Sequence, residues 1–276
     1  MITSMRRSTK ILLGSALLAM VVLQLLPFYI AATTALKERT DLSSTWLPPL
    51  DGVFLGNFVT AIDDGNILQS ILNSAIVTGV STMLVCILGA LAAYPLARRT
   101  TVLNKFVTAG ILALIMVPPL SILVPLYTML NQMGALNTHW GIIAVMVSTE
   151  LPLAIFFYTA FMRSLPISVE EAATVDGASM FQTFFLVVLP VLKPVTATVA
   201  ILTGVSTWNE YALSSFILTD PALRTIAPSI ASFFSAQSSN LGAAAAASLL
   251  AVVPVLVAYM FLQRYFIKGM AAGAEK

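Results

Sequence analysis

Long uncharged apolar runs dominate the hydrophobic pattern of this chain. The first extends from Ile11 to Leu36, and no charged residue follows it until Lys37. The apolar core of a secretory signal has only about 7–15 residues, so this run is too long for one and predicts an anchoring span instead.

Five more apolar segments follow, each long enough to cross a bilayer as a helix. We therefore predict an all-α, polytopic transmembrane helical bundle, with residues 1–276 forming a single domain. The six predicted spans cover residues 11–33, 71–95, 106–130, 140–162, 195–217 and 241–263.

Two of these spans contain residues that disturb a regular helix. Pro118, Pro119 and Pro125 lie inside the third, which predicts a broken or kinked helix packed against protein rather than lipid. We start the fifth span at Val195 so that Lys193 stays at the inner boundary, because a central lysine costs about 2.5–3.5 kcal/mol on insertion scales.

The basic residues set the orientation of the predicted spans. With both termini in the cytoplasm, only Lys37, Arg39 and Arg224 fall outside. This is the positive-inside pattern, and it makes residues 164–190, which we call the elbow, cytoplasmic. The eleven inner basic residues are Arg6, Arg7, Lys10, Arg98, Arg99, Lys105, Arg163, Lys193, Arg264, Lys268 and Lys276.

The composition is that of an integral membrane protein. Of the 276 residues 58% are hydrophobic and 9% charged, with a net charge of +2. One cysteine, Cys86, and one histidine, His139, cannot form an internal disulfide or a metal site of those residue types. We expect membrane lipid and no nucleic acid as a contact.

The sequence contains no recognisable catalytic or nucleotide-binding motif. No segment matches the glycine-rich nucleotide-binding loop that ends in Lys-Ser/Thr, and no nucleophile lies in a recognisable set with a base. We therefore expect a transport protein that is not an enzyme and holds no cofactor itself. Any dependence on ATP would come from a partner chain.

The elbow separates the fourth and fifth predicted spans. Its sequence predicts a short polar helix, a turn and the start of a second helix. Ser168 and Glu171 have the spacing of a capping box, and Ser179 and Gln182 repeat it. Gly177 follows Asp176 and predicts a helix stop, since glycine takes the left-handed conformation without a Cβ penalty.

The same stretch resembles the cytoplasmic loop of permease subunits in binding-protein-dependent ABC importers. The alternative is an ordinary surface helix with small residues on its packing face. The Asp-Gly-Ala form, the run from Trp208 and the tail Lys268–Lys276 resemble the carbohydrate, maltose-type branch. The residues that match the loop pattern are Glu171, Ala172, Ala173, Gly177, Val187, Leu189 and Pro190.

This resemblance implies a type I ABC importer permease in a bacterial or archaeal cytoplasmic membrane. It implies a heterodimer with a second homologous permease, two cytoplasmic ATPase subunits that bind ATP and Mg, and an extracytoplasmic solute-binding protein. The elbow would be the coupling loop that docks on the ATPase. The implied coupling residues are Glu171, Ala172, Ala173, Asp176, Gly177 and Ala178.

Polar and aromatic residues within the spans are candidates for a substrate pathway. An aromatic ring beside amide and carboxylate groups suits a sugar, which can stack and be hydrogen-bonded at once. The alternative is that Trp208 and Tyr211 form an interfacial belt and Glu210 marks the span end. The candidates are Glu150, Trp208, Asn209, Glu210 and Tyr211.

Two other functions stay open at this point. An ABC importer could carry another polar solute, such as a polyol, a glycerol phosphate, an amino acid or an oligopeptide. An ion-coupled secondary transporter could use Glu150 and Glu210, although that class has no need of a capped cytoplasmic elbow.

Overall fold

The computed structural model describes residues 7–41, 43–50, 52–234 and 240–274. Some predictions fall outside the described structure, namely part of the outer loop that we expect from Asp220 to Asn240 and several inner basic side chains. These side chains are Arg6, Arg7, Lys10, Arg264, Lys268 and Lys276. The chain divides into two compact units, one comprising residues 1–67 and 229–253 and the other residues 68–228 and 254–276.

Every regular element in the described ranges is helical, and the predicted all-α polytopic class is confirmed. Four helices are long and apolar enough to cross a membrane, and the number rises to six if two bent pairs are each counted as one span. The helices are α1 (Arg7–Ala35), α2 (Gly56–Asp63), α3 (Ile67–Arg98), α4 (Val102–Ile115), α5 (Leu123–Gln132), α6 (His139–Ser164), α7 (Ser168–Val175), α8 (Met180–Val191), α9 (Lys193–Trp208), α10 (Ala212–Ile217), α11 (Ile226–Ala231) and α12 (Leu241–Ala274).

The bent pairs lie where the sequence carries prolines. A 95° bend separates α4 from the helical segment Pro119–Gln132, so the predicted break in this region is confirmed. Pro118 is extended, because the ring of Pro119 disfavours the helical region for the residue before it. A second bend of 73° separates α8 from α9, and Lys193 is exposed as the first residue of α9.

In the first unit a buried asparagine joins three elements. The Asn57 side-chain amide donates to the carbonyl oxygens of Ala35 at 3.0 Å and Lys37 at 2.7 Å, which lie just at and beyond the end of α1. Gly242 approaches the same side chain so closely that a Cβ would come within 2.5 Å of its Nδ2. The alanine run 243–247 then packs with four of its members buried, as expected for a small-residue face.

The second unit has two buried clusters of apolar side chains. One lies where α3, α6, α8 and α9 meet and holds Tyr158, Met162 and Leu192, each with no exposed surface. The other joins α3, α5, α6 and α10 and includes Ile142 and Ile217. The elbow connects directly to the first cluster, because α8 contributes Phe184 and Val188 to it.

Two asparagines fasten the connection between α10 and α11 to the bundle. The Asn73 amide, fully buried in α3, donates to the carbonyl oxygens of Ala222 at 2.9 Å and Arg224 at 3.0 Å. The Asn137 carbonyl oxygen accepts from the backbone N–H of Thr219 at 2.7 Å. An irregular segment thus has its backbone groups satisfied by side chains from elsewhere in the same unit.

Replacement of Asn73 by leucine should therefore destabilise the protein. Two partly buried carbonyls would lose their donor, and leaving a shielded group unsatisfied costs up to about 1–3 kcal/mol. Thermal unfolding in mild detergent should show a clear decrease in midpoint. Asn131, which is exposed on α5, provides the matched Asn→Leu control, and an equal decrease there would contradict the role of Asn73.

Candidate functional site

The elbow is a helix, a glycine stop and a capped helix start. The helix α7 ends at Val175, and Gly177 has a φ of +85°, the left-handed conformation that the sequence predicts. The Ser179 hydroxyl accepts from the N–H of Gln182, whose side chain accepts from the N–H of Ser179 at 2.7 Å. The predicted second capping box is confirmed.

The predicted first capping box is wrong. Ile167, which follows Pro166, already has helical backbone angles and serves as the N-cap of α7. The Ile167 carbonyl accepts from the N–H of Glu170 at 2.9 Å and of Glu171 at 3.1 Å. Ser168 is therefore inside the first turn, one position too late for its hydroxyl to cap the helix.

A partly buried polar cluster, the Arg98 clamp (Tyr94, Arg98 and Glu170), holds α7 against the end of α3. Arg98 Nε donates to Glu170 Oε1 at 2.7 Å, and Tyr94 Oη donates to Glu170 Oε2 at 2.9 Å. The paired Arg98 and Glu170 side chains are only 14% and 12% exposed. Arg98 Nη1 also donates to the carbonyl of Met162 at 2.7 Å, so the clamp joins α3, α6 and α7.

The clamp uses Glu170, whereas the sequence analysis singled out Glu171. Adjacent residues on an α-helix point about 100° apart, so only one of the two acids can face the bundle. Glu170 faces it and Glu171 is exposed. The signal in the sequence was the arginine pair at the end of α3, which offers a cation near the inner boundary for one elbow acid.

The other predicted coupling residues contribute part of the exposed surface of the elbow. Ala172, Asp176 and Gly177 are exposed, whereas Ala173 and Ala178 are partly buried. The space around Gly177 is open, with no heavy atom within 4 Å of a Cβ placed there.

Large apolar side chains that the sequence analysis missed share this surface. Val175 is 87% exposed and Phe181 is 74% exposed. Such side chains, rimmed by the carboxylates of Glu171 and Asp176, are typical of a surface that contacts another protein. Their exposure could not be read from the sequence, since a large apolar side chain is normally expected to pack against the bundle.

A cavity lies beside the elbow, and two sets of contacts attach the elbow to α3. A cavity of about 510 Å³ lies beside α7, lined by Tyr94, Glu170, Thr174 and Met180 among others. On its far side Phe184 is buried, with its ring centroid 5.1 Å from that of Tyr94. The Arg98 clamp and this aromatic contact thus both tie the elbow to α3.

The two acids among the candidate pathway residues have different partners. Glu150 of α6 accepts a hydrogen bond from the Ser206 hydroxyl of α9 at 2.6 Å, which places a carboxylate between these two helices. Glu210 instead caps α10: its carboxylate accepts from the N–H of Leu213 at 2.6 Å and of Ser214 at 2.8 Å.

The remaining pathway candidates lie at the break between α9 and α10. Trp208 is the last residue of α9, and the Asn209 amide donates back to the carbonyl of Val205 at 2.8 Å. Tyr211 is 52% exposed just beyond the break. Asn209 and Glu210 make local bonds that shape the break, while Tyr211 is exposed and Trp208 is partly buried.

A match to a known protein family covers more than half of this chain. Residues 86–272, from the middle of α3 to the end of α12, match the family described as "Binding-protein-dependent transport system inner membrane component". The chain belongs to this family. It is therefore a multi-pass permease component of the cytoplasmic membrane, and the resemblance seen at the elbow is confirmed.

Individual relatives agree over nearly the whole length. The chain is 43% identical to the melibiose/raffinose/stachyose import permease protein MelC of Bacillus subtilis, over 91% of each chain. It is 34% identical to the diacetylchitobiose uptake system permease protein NgcG of Streptomyces coelicolor, over 91% of this chain and 84% of the relative.

A solved structure has the same fold. A bacterial ABC transporter involved in the import of the acidic polysaccharide alginate contains a chain that superposes with a TM-score of 0.78. The match is 20% identical and covers 95% of this chain and 99% of the other. The type I permease architecture implied by the elbow is thus supported at the level of the fold.

The Arg98 clamp predicts a measurable difference between the two adjacent acids. Glu170→Gln removes the charge from the pair and should lower the free energy of opening α7 by about 1.5–3 kcal/mol. Amide hydrogen exchange across Ser168–Val175 should accelerate by about tenfold or more. Glu171→Gln is the matched control and should leave exchange unchanged, so equal acceleration in both variants would contradict the clamp.

Proposed function

We propose that this chain is the permease subunit of an ATP-driven importer for an oligosaccharide, and that a separate ATPase drives it through the elbow. The observation that carries the proposal is an exposed, partly apolar surface on a helix that the Arg98 clamp fixes to the bundle. The family and the sugar cargoes named for the relatives support the same function.

The structure supports a specific mechanical route. The ATPase would contact the exposed elbow residues, with Ala172 allowing close approach and Gly177 making the turn. Movement of α7 would pass through Glu170 and Arg98 to α3 and α6. A second route runs through Phe184 into the buried cluster of the second unit. Closure of the ATPase would thereby reorient the spans.

The family of this chain supports a larger assembly. We propose a heterodimer with a homologous permease, two cytoplasmic ATPase subunits that hold ATP and Mg, and an extracytoplasmic binding protein that delivers the sugar. The membrane would be that of a bacterium or an archaeon. The nucleotide and its metal ion would be bound by the ATPase subunits.

For the cargo we propose a path past the end of α9. Trp208 and Tyr211 would stack on the apolar face of a sugar ring. Glu150, held by Ser206, would accept hydroxyl hydrogens in the interior. Asn209 and Glu210 would shape this path through their local bonds, Glu210 by capping α10.

Substitution of Gly177 tests the coupling. Gly177→Trp forces a side chain into a left-handed conformation, which costs about 1–2 kcal/mol, and places an indole on the docking surface. In proteoliposomes that contain the whole assembly, we expect ATP hydrolysis without sugar uptake. Gly134→Trp is the matched control, because Gly134 also has a positive φ and open space around it. Normal uptake by Gly177→Trp would rule out the coupling role.

Removal of Trp208 tests the sugar path. Trp208→Ala should reduce uptake by roughly tenfold at subsaturating sugar, since one stacked aromatic contact contributes about 1–2 kcal/mol. Trp140→Ala, which removes an exposed tryptophan at the start of α6, is the control and should transport normally. If both variants lose uptake equally while remaining folded, Trp208 has no special role in the path.

A further inference from the structure

A basic pocket lies away from the elbow surface, where the ends of α3 and α6 meet the start of α4. We call it the headgroup pocket and define it by the polar residues that line it. Its cavity is about 430 Å³. These polar residues are Arg99, Thr100, Asn104, Lys105, Thr108 and Arg163.

The charge of this pocket is not balanced by acids in the described part of the chain. Its lining contains three cations and no carboxylate. The ion pairs described are Lys37–Asp41 and Arg98–Glu170, and neither involves a lining cation. The start of α4 adds the partial positive charge of a helix N-terminus. The pocket therefore attracts an anion.

A narrow apolar groove continues from the headgroup pocket. It has a volume of about 130 Å³ and is lined by Ile111, Leu112, Ile155 and Phe156 among others. The two cavities share Thr108, Leu112 and Arg163, so they join at these side chains. A ligand that fills both needs an anionic head and an apolar tail.

Two of the buried polar atoms that have no hydrogen-bond partner in the described residues lie at the same place, although others lie elsewhere in the chain. The Oγ1 atom of Thr108, which lines both cavities, is buried and has no hydrogen-bond partner in the described structure. The same holds for Oγ1 of Thr159 in the groove. Buried hydroxyls rarely stay unpaired, and a glycerol ester or phosphate oxygen at the junction would satisfy Thr108.

We propose that this site binds an anionic phospholipid, with its phosphate in the headgroup pocket and one acyl chain in the groove. Basic pockets between helices at the cytoplasmic side suit such head groups. The basic residues of the pocket belong to the inner-side residues predicted from the sequence, and that orientation would place them near the phosphates of the cytoplasmic leaflet. Arg99 adjoins Arg98, so a bound lipid would hold α3 and α6 together beside the clamp.

The test uses the full-length chain, extracted from its membrane in mild detergent with the subunits that copurify. Binding of phosphatidylglycerol, phosphatidylcholine with the same chains, and soluble glycerol 3-phosphate is compared by native mass spectrometry and by the shift in thermal unfolding. We expect phosphatidylglycerol to bind roughly tenfold or more tightly than phosphatidylcholine. Equal binding of the two lipids would overturn the proposal.

Variants separate the head group from the tail. The double variant R99Q/K105Q should lose the preference for phosphatidylglycerol, while K193Q, which changes an exposed lysine outside the pocket, should keep it. A160W fills the groove and should abolish lipid binding. Unfolding measured without added lipid establishes that each variant is folded.

Two results would point to other occupants and contradict the proposal. If glycerol 3-phosphate stabilises the protein as strongly as phosphatidylglycerol and A160W has no effect, the pocket is a site for a soluble anion. If R99Q/K105Q binds phosphatidylglycerol like the wild type, the lipid binds elsewhere on the protein.

Discussion

The constraint on which this structure depends is that backbone N–H and C=O groups in an apolar environment need partners. Regular helices provide them internally, so the chain can leave a helix only where side chains take over. Asn73 and Asn137 do this for the segment after α10, Glu210 caps the start of α10, and Arg98 satisfies a carbonyl at the end of α6. Polar side chains of the second unit thus supply partners for the backbone where its helices are interrupted.

The Arg98 clamp satisfies a backbone carbonyl and also joins the elbow to the spans, as the proposed transport mechanism requires. A permease driven by a separate ATPase needs a segment that is exposed to its partner and yet rigidly joined to the spans. Exposure of Val175 and the glycine turn meet the first need, and the half-enclosed pair of Arg98 and Glu170 meets the second. An ion pair shielded from water holds its geometry better than a fully solvated one.

Local features of the elbow could be predicted from the sequence, whereas partners distant in the chain could not. The glycine stop and the Ser179–Gln182 capping box depend on residues within four positions, and both are present. The choice of Glu170 over Glu171 depends on Arg98, which is 72 positions away. The role of Glu210 was similarly open, because a carboxylate in an apolar run can line a path or cap a helix.

In the proposed mechanism, the pair of Arg98 and Glu170 transmits ATP-driven movement to the spans. A charge-swap cycle tests it most directly, with the ratio of ATP hydrolysed to sugar taken up measured in proteoliposomes of the whole assembly. The account predicts that R98E and E170R each raise this ratio sharply and that R98E/E170R lowers it toward the wild-type value. Single variants that remain coupled, or a double variant no better than either single one, would contradict the account.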